Sequence, residues 1–162
     1  MDSRFQFRIS QGIGIRNLTT DFSANYQFRQ FFSIGIGNGF HRNKVNIYST
    51  SGYHKLELWS YPIYLTANIY LTGTSEKAWY IYGRYGRSFG INNKNNDPSK
   101  SFKGVMVEGG IGFELLRDDR SIYFELGQYF TNNKGLFRST YESEINYDLE
   151  IYSLALRVGV KF

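Results

Sequence analysis

The chain contains no cysteine and only two prolines. Without cysteine there is no disulfide framework, no thiolate metal site and no thiol nucleophile. No run of apolar residues approaches the roughly 18 that a membrane-spanning helix requires, which excludes a helical membrane protein. Histidine is also scarce, with two residues in 162, and gives no spacing that would suggest a metal centre. The glycines do not precede a helix, so no phosphate-binding loop is present. The first residues, Met1-Asp2-Ser3-Arg4, lack the apolar stretch of a secretory signal, so an exported chain is expected to be in its mature form.

What the sequence has in quantity is 14 Tyr, 14 Phe and 17 Gly, at a mean hydropathy of −0.41. That aromatic content excludes a disordered chain, and the length suits one domain spanning residues 1–162. The net charge of +5 comes from basic residues scattered singly along the chain, which does not read as a binding patch.

The dominant pattern is alternation with a period of two, the signature of strands with unlike faces. A first strand over Ser3–Leu18 sets Phe5, Phe7, Ile9, Ile13 and Ile15 against Arg4, Arg8, Gly12, Gly14 and Arg16. A second, Asn25–His41, sets Tyr26, Phe28, Phe32, Ile34, Ile36 and Phe40 against Arg29, Ser33, Gly35 and Gly37. A tight turn at Arg42-Asn43 would lead to a weaker third strand from Lys44 to about Tyr53, with Val45 and Ile47 on its apolar side. The remaining strands read as Glu57–Leu71, Lys77–Ile91, Phe102–Leu116, Arg120–Thr131 and Asn146–Phe162. Eight sequential strands without intervening helices imply an antiparallel meander. Connections after the second, fourth and sixth strands are short, whereas Asn92–Ser101 and Asn132–Ile145 are longer and polar, as at the two rims of an outer-membrane barrel.

Volume decides which face is outside. Eight strands enclose a lumen just wide enough for side chains, and about five large apolar residues per strand cannot fit there. The opposite face offers glycine repeatedly, which makes room in a crowded interior. The apolar face must therefore point outward, and in water it would be an aggregation surface. Backbone groups cannot remain unpaired in hydrocarbon, so the first and last strands must pair and close the sheet. The predicted fold is all-β, a closed antiparallel up-and-down eight-stranded transmembrane β-barrel in the bacterial outer membrane.

These stretches resemble the small porin-like outer-membrane barrels of the OmpA/OmpX type, particularly those common in Bacteroidota. The resemblance rests on Phe5–Ile13, on Tyr61-Pro62-Ile63-Tyr64-Leu65, on Gly109–Leu115 and on the ending Val158-Gly159-Val160-Lys161-Phe162. The terminal aromatic is similar to the signal read by barrel-assembly machinery. The resemblance implies contact with outer-membrane lipid and lipopolysaccharide. It also implies a role among those of a mixed family: adhesin, membrane-stabilising protein, or subunit of a larger outer-membrane assembly.

The inward face places Arg8, Arg16, Arg29, Arg84, Arg157 and Lys161 against Glu108, Glu114 and Glu125. In a filled lumen these charges must pair, with Tyr64, Tyr80, Tyr82, Tyr123 and Tyr129 supplying hydrogen bonds. Such a set is read as a polar plug, with a gate or narrow channel as the alternative. Trp59, Trp79, Tyr152 and Phe162 fall on the outer face as members of the aromatic girdles, one indole near each interface.

An enzyme that modifies lipid A is the other alternative. It would need a serine–histidine–carboxylate set, and His54 in a predicted loop beside Ser51 and Glu57 is the one local grouping, with His41 at the opposite rim. A surface histidine is the simpler reading, so no catalytic, cofactor or metal residue is assigned. Nucleic acid is not an expected partner, because aromatics and arginines occupy opposite faces and cannot form a stacking platform together.

Overall fold

The computed structural model describes residues 4–15, 17–28, 31–49, 52–73, 77–92, 101–117, 120–137 and 145–162. The strands are β1 (Arg4–Gly14), β2 (Asn17–Phe28), β3 (Phe32–Ser49), β4 (Gly52–Gly73), β5 (Lys77–Asn92), β6 (Ser101–Arg117), β7 (Arg120–Phe137) and β8 (Ile145–Lys161). Each pairs antiparallel with its sequence neighbours, and β1 pairs with β8, so the sheet closes. Phe162 fastens the seam by exchanging backbone hydrogen bonds with Phe7, at 2.9 and 3.1 Å.

The stagger of the barrel follows from the register. A row of partners from Ile9 runs through Phe22, Asn38, Ile63, Arg87, Val105 and Asn132 to Glu150, whereas closure pairs Ile9 with Val160. The row thus misses its start by ten residues, which tilts the strands by about 40°. One irregularity, between Tyr70 and Thr72, shifts the β4–β5 register near the short-turn rim.

The facing is inside-out relative to a soluble protein. Phe5, Phe7, Ile36, Leu65, Tyr85, Leu156 and their like cover the outer wall, while the interior holds Arg, Glu, Asn, Ser, Thr and Tyr. A lipid solvent makes this the stable arrangement, because the strands pair with one another around a closed sheet and leave no free edge. Three inward glycines lie opposite inward tyrosines: Gly37 partners Tyr64, Gly112 partners Tyr80 and Gly159 partners Tyr123. A Cβ at any of the three would collide with the tyrosine ring, so the rings lie flat over the glycine backbone and fill the lumen.

The first half of the barrel departs from the sequence reading. The strand expected over Ser3–Leu18 ends at Gly14, and Asn17–Phe28 is a separate strand. The segment expected as a single strand over Asn25–His41 contains a turn between Phe28 and Phe32. Phe28 and Phe32 are four residues apart, so the alternation continues in phase through that turn and conceals it. Arg42-Asn43 is not a turn. β3 runs through it, with Asn43 buried inside and Arg42 outside, donating to Glu57 at 2.7 Å. The expected weak strand from Lys44 to Tyr53 is the upper part of β3 joined to the start of β4; the side chains of Val45 and Ile47 lie outside the described residues.

On the loop side, β7 extends to Phe137, so residues 132–137 belong to the sheet and not to the connection. The hairpins there are uneven in height. β3–β4 pairs up to Ser49–Gly52 and β7–β8 up to Phe137–Ile145, whereas β1 stops at Gly14.

Candidate functional site: a charged network in the lumen

Eight charged side chains are buried in the barrel among the described residues, four cations and four carboxylates. Arg8, Arg84, Arg157 and Lys161 face Asp21, Glu108, Glu114 and Glu125. The balance is required physically, since an unpaired charge in a dry interior costs several kcal/mol.

Arg157 is the most heavily engaged. Its Nε donates to one oxygen of Glu108 at 2.8 Å and its Nη2 to the other at 2.6 Å, while Nη1 reaches Thr19 at 3.0 Å and Asp21. The parallel geometry with Glu108 is the strong bidentate form of the guanidinium–carboxylate pair. Arg84 bridges Glu108 at 3.1 Å and Glu125 at 2.6 Å. Arg8 lies nearer the short-turn rim, donating to Tyr70 at 2.8 Å and Glu114 at 3.3 Å and approaching Glu125 at 3.7 Å. Lys161 pairs with Glu114 from the last strand.

Tyrosines complete the set in two ways. Tyr80 donates to Glu125 at 3.1 Å, Tyr82 to Glu108 at 3.1 Å and Tyr64 to Asp21 at 3.2 Å. Their rings also carry the guanidiniums: Arg8 sits 5.1 Å from the Tyr80 centroid and 4.9 Å from that of Tyr123, and Arg84 4.9 Å from that of Tyr82. These are cation–π distances. With His41 on β3, all eight strands contribute a side chain to one connected network.

His41 is not at a rim. It is fully buried in the lumen, Nε2 at 2.9 Å from Asp21 and Nδ1 at 3.3 Å from the Tyr129 hydroxyl. The histidine thus bridges a carboxylate to a phenol. His54 lies within β4 and not in a loop, in register with Ile47 of β3. Its side chain, and Ser51 altogether, lie outside the described residues.

Of the lumen set expected from sequence, Arg8, Arg84, Arg157, Glu108, Glu114 and Glu125 come together as described; Arg16 and Arg29 lie outside the described residues. Sequence reading missed Asp21 and His41. The signal for Asp21 was the polar alternation Asn17, Thr19, Asp21, Ser23, Asn25, hidden because its outward partners include Thr20 and Ala24. Among the described residues no group of histidines and carboxylates forms a metal site.

On the outer wall, Trp59, Trp79, Tyr152 and Phe162 are all exposed. Trp79 lies near the short-turn rim and packs on Phe113 at 4.7 Å between centroids. Trp59 lies toward the loop rim, seven residues into β4 and not at its start. Its indole donates to Glu57 at 3.0 Å and carries Arg42 at 5.5 Å over its face.

No family model matches this sequence, and no curated protein matches it. Solved structures do. The outer membrane protein OprG from Pseudomonas aeruginosa aligns with a TM-score of 0.61 at 13% identity, covering 98% of this chain and 95% of that one. Neisserial surface protein A (NspA) aligns with a TM-score of 0.57 at 13% identity, over 99% and 98% of the two chains. The N-terminal β-barrel domain of Pseudomonas aeruginosa OprF aligns at 0.56 and 12%, over 99% and 100%. At such identities the likeness is one of fold. The chain shares the closed eight-stranded fold of these small barrels. Its apolar wall and closed sheet are those of a barrel that crosses a membrane with all eight strands.

Proposed function

We propose that this protein is a closed, non-conducting barrel with a structural or interaction role in the outer membrane, and not an enzyme. The observation that supports this reading is the lumen network: four cations and four carboxylates interlocked with tyrosines of β4, β5 and β7. A water-filled path would need space between these groups, whereas here they bond directly to one another. The paired charges act as a plug in place of a hydrophobic core and hold the first and last strands in register through Arg8, Arg157 and Lys161.

Residues 1–162 form one barrel domain in this reading, embedded in lipid and lipopolysaccharide and requiring no cofactor. Trp59, Trp79, Tyr152 and Phe162 serve as girdle residues. The longer connections, residues 93–100 and 138–144, face the cell exterior, as long loops do in such barrels. They offer polar contact surfaces, and the wall can dock against other outer-membrane proteins in a larger assembly.

The test is electrical. Refolded protein in planar bilayers is expected to give no steady conductance. Stable open channels of porin size would overturn the plug.

A further inference from the structure

Three adjacent outward positions on the first three strands interrupt the apolar wall. Gln11 of β1, Thr20 of β2 and Asn38 of β3 face outward, exposed or half-exposed. Gln11 and Thr20 are register partners, and Asn38 stands two residues from Phe40, the partner of Thr20, on the side of the short-turn rim. None of the three makes a side-chain hydrogen bond among the described residues.

Their depth follows from the stagger. Ten residues over eight strands raise a row of partners by about 1.25 residues per strand, from β1 to β8 and towards the loop rim. Thr20 therefore lies about one residue above Gln11. Asn38 gains about 2.5 residues over two strands and loses two, which leaves it level with Gln11 to within about half a residue. The two tryptophans place this level in the membrane. Asn38 pairs with Ile63, four residues below Trp59 on β4, and Ile63 pairs with Arg87, eight residues above Trp79 on β5. With the rise included, each indole is about five residues of strand from Asn38, one above and one below. Gln11, Thr20 and Asn38 thus form a polar stripe near the bilayer midplane. At that depth the other strands present Leu65, Tyr85, Gly109 and Leu156, with Gln128 of β7 on the opposite wall.

Hydrocarbon offers an amide or a hydroxyl no hydrogen-bond partner, so polar groups at this depth are costly unless another protein surface meets them. Across such surfaces they join membrane-spanning segments. Two copies cross one membrane in the same sense, so a two-fold axis between them stands along the membrane normal. That axis keeps every residue at its own depth. With Thr20 on the contact line, it sets β1 of each copy against β3 of the other. Gln11 then meets Asn38 of the second copy, twice over, and Thr20 meets Thr20. An amide both donates and accepts, so a glutamine and an asparagine at equal depth satisfy each other. Equal depth of Gln11 and Asn38 on either side of Thr20 is what this symmetry requires, and a lipid chain gains nothing from it.

We infer that β1, β2 and β3 form the interface of a two-fold dimer, with a second copy of this chain as the partner. This deepens the interaction role proposed above by naming the face and the partner, and it rests on the outer wall facing lipid. Its test is the oligomeric state, measured apart from conductance, so failure of the interface and failure of the plug are distinguishable.

Refolded protein in density-matched micelles would be followed by sedimentation equilibrium. The parent is expected to dimerise. Gln11→Leu, Thr20→Val and Asn38→Leu combined should weaken the dimer by at least about tenfold. These changes put apolar groups into lipid, so the variant should fold at least as well, which heat-modifiable gel migration checks. Gln128→Leu, on the opposite wall, should leave the dimer unchanged. In lipid vesicles, Phe22→Cys, at the next outward position after Thr20 on β2, should cross-link to its own copy through a short bifunctional thiol reagent. Ile111→Cys, four strands away on β6, should not. The chain has no cysteine of its own, so each substitution reports alone. A monomeric parent would overturn the interface. So would dimerisation of the triple variant within about twofold of the parent, or cross-linking through Ile111→Cys in place of Phe22→Cys.

Discussion

Val107 and Glu108 are adjacent in β6, yet Val107 is 40% exposed on the outer wall while Glu108 is 2% exposed inside, bound by Tyr82, Arg84 and Arg157. A slip of one residue in register would exchange the two. Substitutions along this strand therefore read out the facing of the whole barrel.

Val107 and Ile111 flank Gly109, the midpoint of β6 between Lys103 and Leu115, which partners Lys77. Ile111→Arg should destabilise by about 2–4 kcal/mol, the cost of a cation near the bilayer midplane. Val107→Arg, equally far from that midpoint, should cost about the same. Urea titrations of the protein folded into lipid vesicles would measure both. Equal, negligible costs would mean that these residues do not face lipid.

Glu108 gives the inward counterpart. Glu108→Leu removes the carboxylate shared by Arg84 and Arg157 and should cost about 3–5 kcal/mol, the range for breaking a buried pair. Glu108→Gln should cost less, since the amide oxygen still accepts, and Arg84 and Arg157 retain Glu125 and Asp21. The same titrations test the order. A larger loss for Gln than for Leu would contradict the pairing.

The glycines divide into two kinds that sequence alone does not separate. At Gly112 an added methyl meets the ring of Tyr80, whereas at Gly83, on the outer wall, it meets nothing within 4 Å. Gly112→Ala should therefore destabilise by about 1–3 kcal/mol through overpacking. Gly83→Ala should be neutral or stabilise by up to about 1 kcal/mol, by removing the entropic cost of glycine in a strand. Similar effects at the two positions would place both on the same side of the wall.

The contrast marks what was legible in the sequence. Facing was legible wherever large apolar residues alternate with small or charged ones, as in Val105–Leu115 or Tyr152–Phe162. Strand ends were not. Between Phe28 and Phe32 the turn preserves parity, and between Gly14 and Asn17 the next strand begins with weakly apolar residues. Asp21 and His41 were lost for that reason: Asp21 falls between the strands expected over Ser3–Leu18 and Asn25–His41, and His41 at the expected end of the second. The pairing of Arg157 with Glu108 was legible only as a requirement that inward charges be neutralised. Which cation meets which carboxylate depends on the ten-residue stagger, a property of closure and not of any one strand.

The stagger also fixes the distance between the two tryptophans, the only ones in the chain. Trp59 is in register with Ile91 of β5, twelve residues along the strand from Trp79. At ~3.3 Å per residue and a tilt of ~40°, this separates the indoles by about 30 Å along the barrel axis, the thickness of a hydrocarbon core. Each should therefore sit at one interface. Single-tryptophan forms, made with Trp59→Phe or Trp79→Phe, can be folded into vesicles of lipids brominated at defined depths. Both should be quenched by bromines near the headgroups and little by bromines at the chain ends. With a uniform orientation, an aqueous quencher added to one side should reach the form retaining Trp59 or the form retaining Trp79, but not both. Strong quenching of either indole at the bilayer centre would place the apolar band elsewhere on the wall and remove Trp59 and Trp79 from the girdles.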